Sequence, residues 1–369
     1  MEFVWFLVKL HKLPFVSLCV LLALLAFLVP VQAGQALGAA PQAPAVPPPK
    51  EIFSRAERLI VQGKLNEAIA ILEESAQTEP KIPGIEFQLG KVYYRKRDFH
   101  QAVIHFEKAL TQQAENEETT QLLGLCLYSL GEWTKAIPLL EKVQSRLSQT
   151  EIDGPYLLGI CYLRTQQLEK ARAALAGMFS IPAESAMAHL MLAKTMVHQR
   201  SEEQAIPELE KAIALDPHLP MAHFLLGEIY LFKSNPQAAL EEFKKELAVN
   251  PSVWLVYWRL GDAYTRLEKY DEAVRALKQS IWLNETFTGP YVLLGEIGLK
   301  KGDLELAVGF LERALKLDPN NYYAHYFLGR AYQQLGRNEE ARREIEQTQS
   351  LRMQKKQADQ ELLLPEKPQ

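Results

Sequence analysis

The chain has 369 residues, 48% of them hydrophobic and 23% charged, with 3 cysteines and a formal net charge of −4 from 41 Lys and Arg against 45 Asp and Glu. Those proportions exclude a collagen-like chain, wholesale disorder and a disulfide-stapled miniprotein. The near-neutral charge leaves no positive field to draw phosphate backbones, so nucleic acid is not an expected partner.

The N-terminus carries Lys9, His11 and Lys12, then runs without a charge from Leu13 to Val29 before Pro30. Val31-Gln32-Ala33 ahead of Gly34 has the small-residue spacing of a signal-peptidase site. Residues 1–33 therefore read as a secretory signal peptide or an uncleaved membrane anchor. The apolar run is short beside the about 20 residues that cross a bilayer. Either reading holds Lys9 and Lys12 inside and places the rest outside the cytoplasm, periplasmic or secreted, with any membrane contact confined to residues 1–33. Residues 34–49 hold five prolines and no charge, which makes them an extended linker.

From residue 50 the chain repeats itself. Ala68, Ala102, Ala136, Ala171, Ala205, Ala239, Ala273, Ala307 and Ala341 recur every 34 residues, with one step of 35 between Ala136 and Ala171. Twelve residues before each stands a second small residue: Ala56, Gly90, Gly124, Gly159, Ala193, Gly227, Gly261, Gly295 and Gly329. Apolar residues around both columns fall at helical spacing, so each unit reads as two amphipathic helices. Gly63, Gly131, Asn235, Gly302 and Gly336 supply the turn between them, with Asp98 nearby in the second unit. Pro80, Pro217, Pro251 and Pro319 end four units, since proline cannot continue a helix. Where two helices cross at Gly or Ala their backbones come close, and stacking neighbouring pairs buries the apolar faces that one pair leaves wet.

These columns resemble the tetratricopeptide repeat family, and the signal segment suggests its exported bacterial type. The resemblance implies an all-α, right-handed α-solenoid of about nine helix-turn-helix repeats with a C-terminal capping helix. The repeats occupy residues 50–350, with boundaries near 83, 117, 152, 186, 220, 254, 288 and 322. Polar Ser54, Arg55, Glu57 and Arg58 mark the first unit as an end cap, and residues 351–369 read as a solvating helix with a loose tail. The spacing specifies fold and is nearly silent on function.

No catalytic or phosphate-binding motif occurs. His189, His223 and His325 each lie four residues before a small-column residue, as repeated filler that cannot converge on one metal ion. Cys126 and Cys161 sit at one equivalent place in consecutive units, where the spacing of packed helices favours two buried free thiols over a disulfide. Asn284-Glu285-Thr286 is a glycosylation sequon in an inter-repeat turn. Neither a cofactor nor an enzyme activity is expected.

In this family the concave face is lined by the first helices. Counting from the small column, Phe87, Tyr156, Phe224, Trp258 and Tyr326 stand three before it, and Tyr94 and Tyr128 four after it. Arg95, Arg164, Arg266 and Lys300 stand five after it, with Lys91, Lys194 and Arg330 one after it. An aromatic floor with basic neighbours suits a protein or peptide partner with apolar anchors and acidic groups. The Lys-Asn carboxylate clamp of co-chaperone relatives is missing. So is the asparagine ladder of sugar-transferase relatives, replaced by Gln88, Leu122, Leu157 and Leu225. The expected function is a binding scaffold in an envelope or export assembly; a cytosolic co-chaperone or an enzyme-associated subunit is the alternative.

Overall fold

The computed structural model describes residues 48–78, 82–144 and 154–363. The signal segment, most of the linker, Pro80 and the final residues lie outside these. The described residues form eighteen α-helices and no strand, in nine consecutive pairs. Unit one pairs α1 (Pro49–Val61) with α2 (Leu65–Thr78), unit two α3 (Ile85–Arg95) with α4 (Phe99–Gln112), and unit three α5 (Glu117–Ser129) with α6 (Trp133–Lys142). Unit four pairs α7 (Gly154–Arg164) with α8 (Leu168–Gly177), unit five α9 (Ala186–His198) with α10 (Glu202–Leu215), and unit six α11 (Ala222–Phe232) with α12 (Pro236–Val249). Units seven to nine are α13 (Trp254–Arg266) with α14 (Tyr270–Leu283), α15 (Gly289–Lys301) with α16 (Leu304–Leu317), and α17 (Tyr322–Gln334) with α18 (Asn338–Leu363). The chain is an all-α solenoid.

Every pair turns on one residue, seven after the small column, held in the left-handed region. Gly63, Gly131, Gly302 and Gly336 adopt it at φ between 73° and 83°. Arg97, Gln166, Arg200, Ser234 and Glu268 adopt it at φ between 56° and 62°. This corrects the sequence reading, which put Asn235 in the corner with Asp98 nearby in the second unit. Both lie one residue later and cap the next helix, their side chains accepting from Ala238 N (3.1 Å) and Gln101 N (3.2 Å). Between units, Asp216, Asn250, Asn284 and Asp318 cap the second helix and fold an Asx turn onto the amide two residues on. Asn284 of the sequon has this structural task, and Thr286 Oγ1 also donates to its Oδ1 at 2.9 Å.

The small columns do what close crossing demands. A Cβ added to Gly227 would lie 2.5 Å from the Phe243 ring, and one on Gly90 would lie 2.6 Å from Phe106. Units one and five carry Ala56 and Ala193 instead, opposite Leu72 and Leu209. Bulk added to the first helix is matched by a slimmer, more adaptable residue on the second.

Two polar staples recur on this register. Within units, His189 Nδ1 meets Glu208 at 2.6 Å, His223 meets Glu242 at 2.7 Å, and His325 meets Glu344. Unit two reverses the pair, with Glu86 on the first helix and His105 on the second, 2.7 Å apart. The histidines are thus the first halves of buried helix-to-helix bonds. Between units, Tyr93 donates to Glu73 (2.9 Å), Tyr162 to Glu141, and Tyr332 to Glu312 (2.9 Å). Burial, then the bond to the carboxylate, raises the phenol of Tyr93 to about 12 and that of Tyr332 to about 12. Cys126 and Cys161 are buried and free, their thiols raised to about 12 and about 11 by burial.

Units four and nine break the pattern at one position, the residue after the shared alanine on the second helix. Other units place Ile, Val or Leu there against the next first helix, as Val308 (5% exposed) does. Unit four has Arg172, only 2% exposed, which donates to the Ala183 carbonyl (2.8 Å) and pairs with Glu169, Glu184 and, at 3.8 Å, Glu208. Unit nine has Arg342, exposed and paired with Glu346 at 2.9 Å, and Gln349 two turns further on. That face receives no further unit, and α18 runs on as one helix to Leu363.

Candidate functional site

First helices of neighbouring units pack against each other along the stack, α3 on α5, α9 on α11, α11 on α13, α13 on α15 and α15 on α17. No pair of second helices packs comparably among the described residues. The first helices therefore form the shorter, inner side. Side-chain bonds that cross between them identify the columns at the seam. Lys91 reaches Glu57 at 3.8 Å, Arg164 reaches the Gln199 amide oxygen, Arg259 reaches Glu228, and Arg266 reaches the Leu231 carbonyl at 3.3 Å.

The candidate residues divide into three groups. Tyr94 and Tyr128 are half-buried, their rings edge-on to Phe99 (5.9 Å) and Trp133 (5.2 Å), and Tyr156 is half-buried beside them on the neighbouring unit. Phe87 packs on Phe106 at 6.2 Å with the Lys91 ammonium 5.6 Å from its ring. Tyr326 is exposed, with the Arg330 guanidinium 5.9 Å from its ring. These keep a surface for a partner. Phe224 does not: it is 7% exposed and lies on Phe243 at 5.9 Å, because its position in unit six turns into the crossing of the two helices. Trp258 is covered on both sides, by Arg259 at 4.0 Å and by Phe287 at 4.9 Å, and its buried Nε1 has no hydrogen-bond partner.

The basic residues differ as well. Arg266 donates from Nε and Nη2 to Asp262 (2.9 and 3.2 Å), and Lys300 pairs with Glu296 at 3.1 Å. Arg259 Nη2 donates to Glu228 at 2.8 Å, while its Nε and the other carboxylate oxygen lie 2.6 Å apart without hydrogen-bond alignment. Burial raises the Glu228 carboxyl against the pull of Arg259. A cleft of about 240 Å³ opens here, lined by Val197, Glu228, Leu231, Phe232, Arg259 and Arg266. Phe232 is 73% exposed at its mouth. Counting only cations along this face missed the acids Glu228, Asp262 and Glu296, which stand one after the small column in units six to eight.

A second omission is the column two residues before the small one. The absence of an asparagine ladder there hid what is present: Leu122, Leu157, Met191 and Leu225, all half-buried. Their apolar run over four successive units was the signal. Among the described residues no helix is long and apolar enough to cross a membrane, and no cluster of three or more His, Cys, Asp or Glu side chains is placed to hold a metal.

The sequence agrees with this register. A family model for anaphase-promoting complex, cyclosome, subunit 3 matches residues 95–178. Tetratricopeptide-repeat models match residues 190–246, 224–281 and 299–358. No curated protein matches the chain. Among solved structures it is similar to MamA (41 to the end) from Desulfovibrio magneticus RS-1, at 20% identity over 46% of this chain and 96% of that one, TM-score 0.43. It is also similar to YrrB, described as a TPR protein with an unusual peptide-binding site, at 22% identity over 49% of this chain and 93% of that one, TM-score 0.41. The hetero-tetramer Cut9–Hcn1 of the APC/C is similar at 19% identity over 76% of this chain and 55% of that one, TM-score 0.41. Nine helix pairs on one register, with repeat models falling on them, make the chain a tetratricopeptide-repeat protein.

Proposed function

We propose that this protein is a non-catalytic scaffold that holds an extended segment of a protein partner on its inner face, in an envelope or export assembly outside the cytoplasm. The observation that supports the binding reading is the half-buried apolar wall of Leu122, Leu157, Met191 and Leu225 beside Tyr94, Tyr128 and Tyr156. Half-exposed Leu and Tyr in a continuous strip are costly to leave wet and supply contact area at modest ordering cost when covered. Repeat solenoids present such strips as extended binding surfaces. The location rests on residues 1–33 alone.

A photo-reactive side chain at Tyr128 or Phe232 should cross-link a partner in cells, while one at the outer Lys278 should not. Cross-links of equal strength from all three positions would defeat the inner-face reading. N-terminal sequencing of the recovered chain tests the location: a start at Gly34 is expected after cleavage, and recovery of the chain from the cytosol would refute export.

A further inference from the structure

We propose that the inner face of units two to five takes an extended acidic polypeptide segment, with carboxylates against Lys91, Arg95, Arg164 and Lys194 and apolar side chains on Tyr94, Tyr128 and Tyr156. This rests on the inner-face reading above and names the chemistry of the partner.

The ground is a difference between the two halves of the same face. In units six to eight the position after the small column is acidic, and Glu228, Asp262 and Glu296 each receive a cation from a neighbouring position. That stretch is neutralised from within. In units two to five the same position holds Lys91, Leu125, Ile160 and Lys194, and no acid.

The cations there are poorly matched. Lys194 is half-buried, makes no ion pair among the described residues, and has its ammonium held below the ordinary lysine range by burial. Arg95 is exposed and likewise unpaired among the described residues. Arg164 reaches only the neutral amide of Gln199, and Lys91 meets Glu57 at 3.8 Å. The nearest acid on α5, Glu118, lies two turns before this position.

A row of cations with one long ion pair among them repels itself, and a partly desolvated ammonium costs free energy that an incoming carboxylate offsets. Packed helices lie about 8–10 Å apart, and an extended chain advances about 3.3 Å per residue, so acidic residues about every third position would meet successive units.

The test is selection of a random-peptide display library on the full-length chain, followed by affinity measurement of the enriched peptides. The expected result is enrichment of Asp and Glu. Affinity should fall about tenfold or more in Arg164→Glu with Lys194→Glu, be unchanged in Lys278→Glu on an outer helix, and weaken steeply with salt. Lys194→Met keeps the aliphatic stem, and an unchanged circular dichroism spectrum for it with a several-fold loss of affinity separates lost charge from lost folding.

Neutral or basic peptides that still lose affinity in Tyr128→Ala would overturn the acidic assignment and leave the inner-face reading standing. Peptides indifferent to every inner-face substitution, or no enriched peptide at all, would overturn both. Equal weakening of a single-stranded DNA probe by the same substitutions would assign the cations to polyanions in general and overturn the peptide. About tenfold tighter binding by a chain ending at Gln357 would give the place to the protein's own acidic end, Asp359, Glu361 and Glu366, and overturn an external partner.

Discussion

Gly227 and Phe243 show how one residue sets another across a helix pair. Phenylalanine stands on the second helix opposite the small column only in units two and six, and both have glycine there. A methyl group on Gly227 must push a rigid ring, whereas the Leu277 opposite Gly261 can rotate away, as the Leu209 opposite Ala193 has room to do. Gly227→Ala should therefore cost about 1–3 kcal/mol in denaturant unfolding, against less than about 1 kcal/mol for Gly261→Ala. Adding Phe243→Leu to Gly227→Ala should recover most of the loss, and a strictly additive double variant would refute the pairing. At this scale the sequence was half legible. Small residues betray close crossing because nothing else fits. The left-handed corners at Arg97, Gln166, Arg200, Ser234 and Glu268 were not legible as turn formers, because the register imposes that conformation on whatever side chain falls there.

Between elements the unexpected parts are polar. A histidine four before the small column and a glutamate nineteen residues later could have been read as a pair, since His189, His223 and His325 all have one. Arg172 could not, because its partners Glu169, Glu184 and Glu208 come together only through the fold. A buried ion network tolerates an apolar replacement of similar size better than the loss of one charge. Arg172→Met alone, which leaves the buried Glu208 short of a cation, should cost about 3 kcal/mol, while Arg172→Met combined with Glu208→Leu should cost less than either single change. Denaturant midpoints of the three variants check the order, and a strictly additive double variant would reverse the argument.

The tyrosine staples make a separate prediction in alkali. Tyr93 and Tyr332 keep their protons to about 12 in the folded chain, above the ordinary phenol value near 10. The folded state then holds more protons than the unfolded one between those limits, so the contribution is complete below pH about 10 and is lost as pH rises toward 12. Tyr93→Phe with Tyr332→Phe should flatten that decline in stability measured against pH. An unchanged slope would mean that the phenols titrate freely.

Across the whole molecule the charge pattern divides one continuous inner surface, while its ends are decided by single positions. Arg342 and Gln349 stand where most other units carry the apolar residues that receive the next unit. Arg342→Val with Gln349→Leu should expose an interior-type face and produce concentration-dependent association by light scattering. A strictly monomeric double variant would show that the end is protected by other means. The solenoid and its period were legible because the same solution is written nine times, and repetition separates signal from accident. The division of the inner surface was not, because it depends on which cations have neighbours, a property of space rather than of order along the chain.

The nine corners carry a last consequence. Five of them hold side chains in a backbone geometry that costs an L-residue about 1–2 kcal/mol and glycine almost nothing. The extra freedom of unfolded glycine gives back part of that difference, leaving up to about 1 kcal/mol per corner. Heat resistance is thus held in reserve at places that touch neither the core nor the inner wall. A version with glycine at all five should melt several degrees higher by calorimetry while gripping its partner no differently.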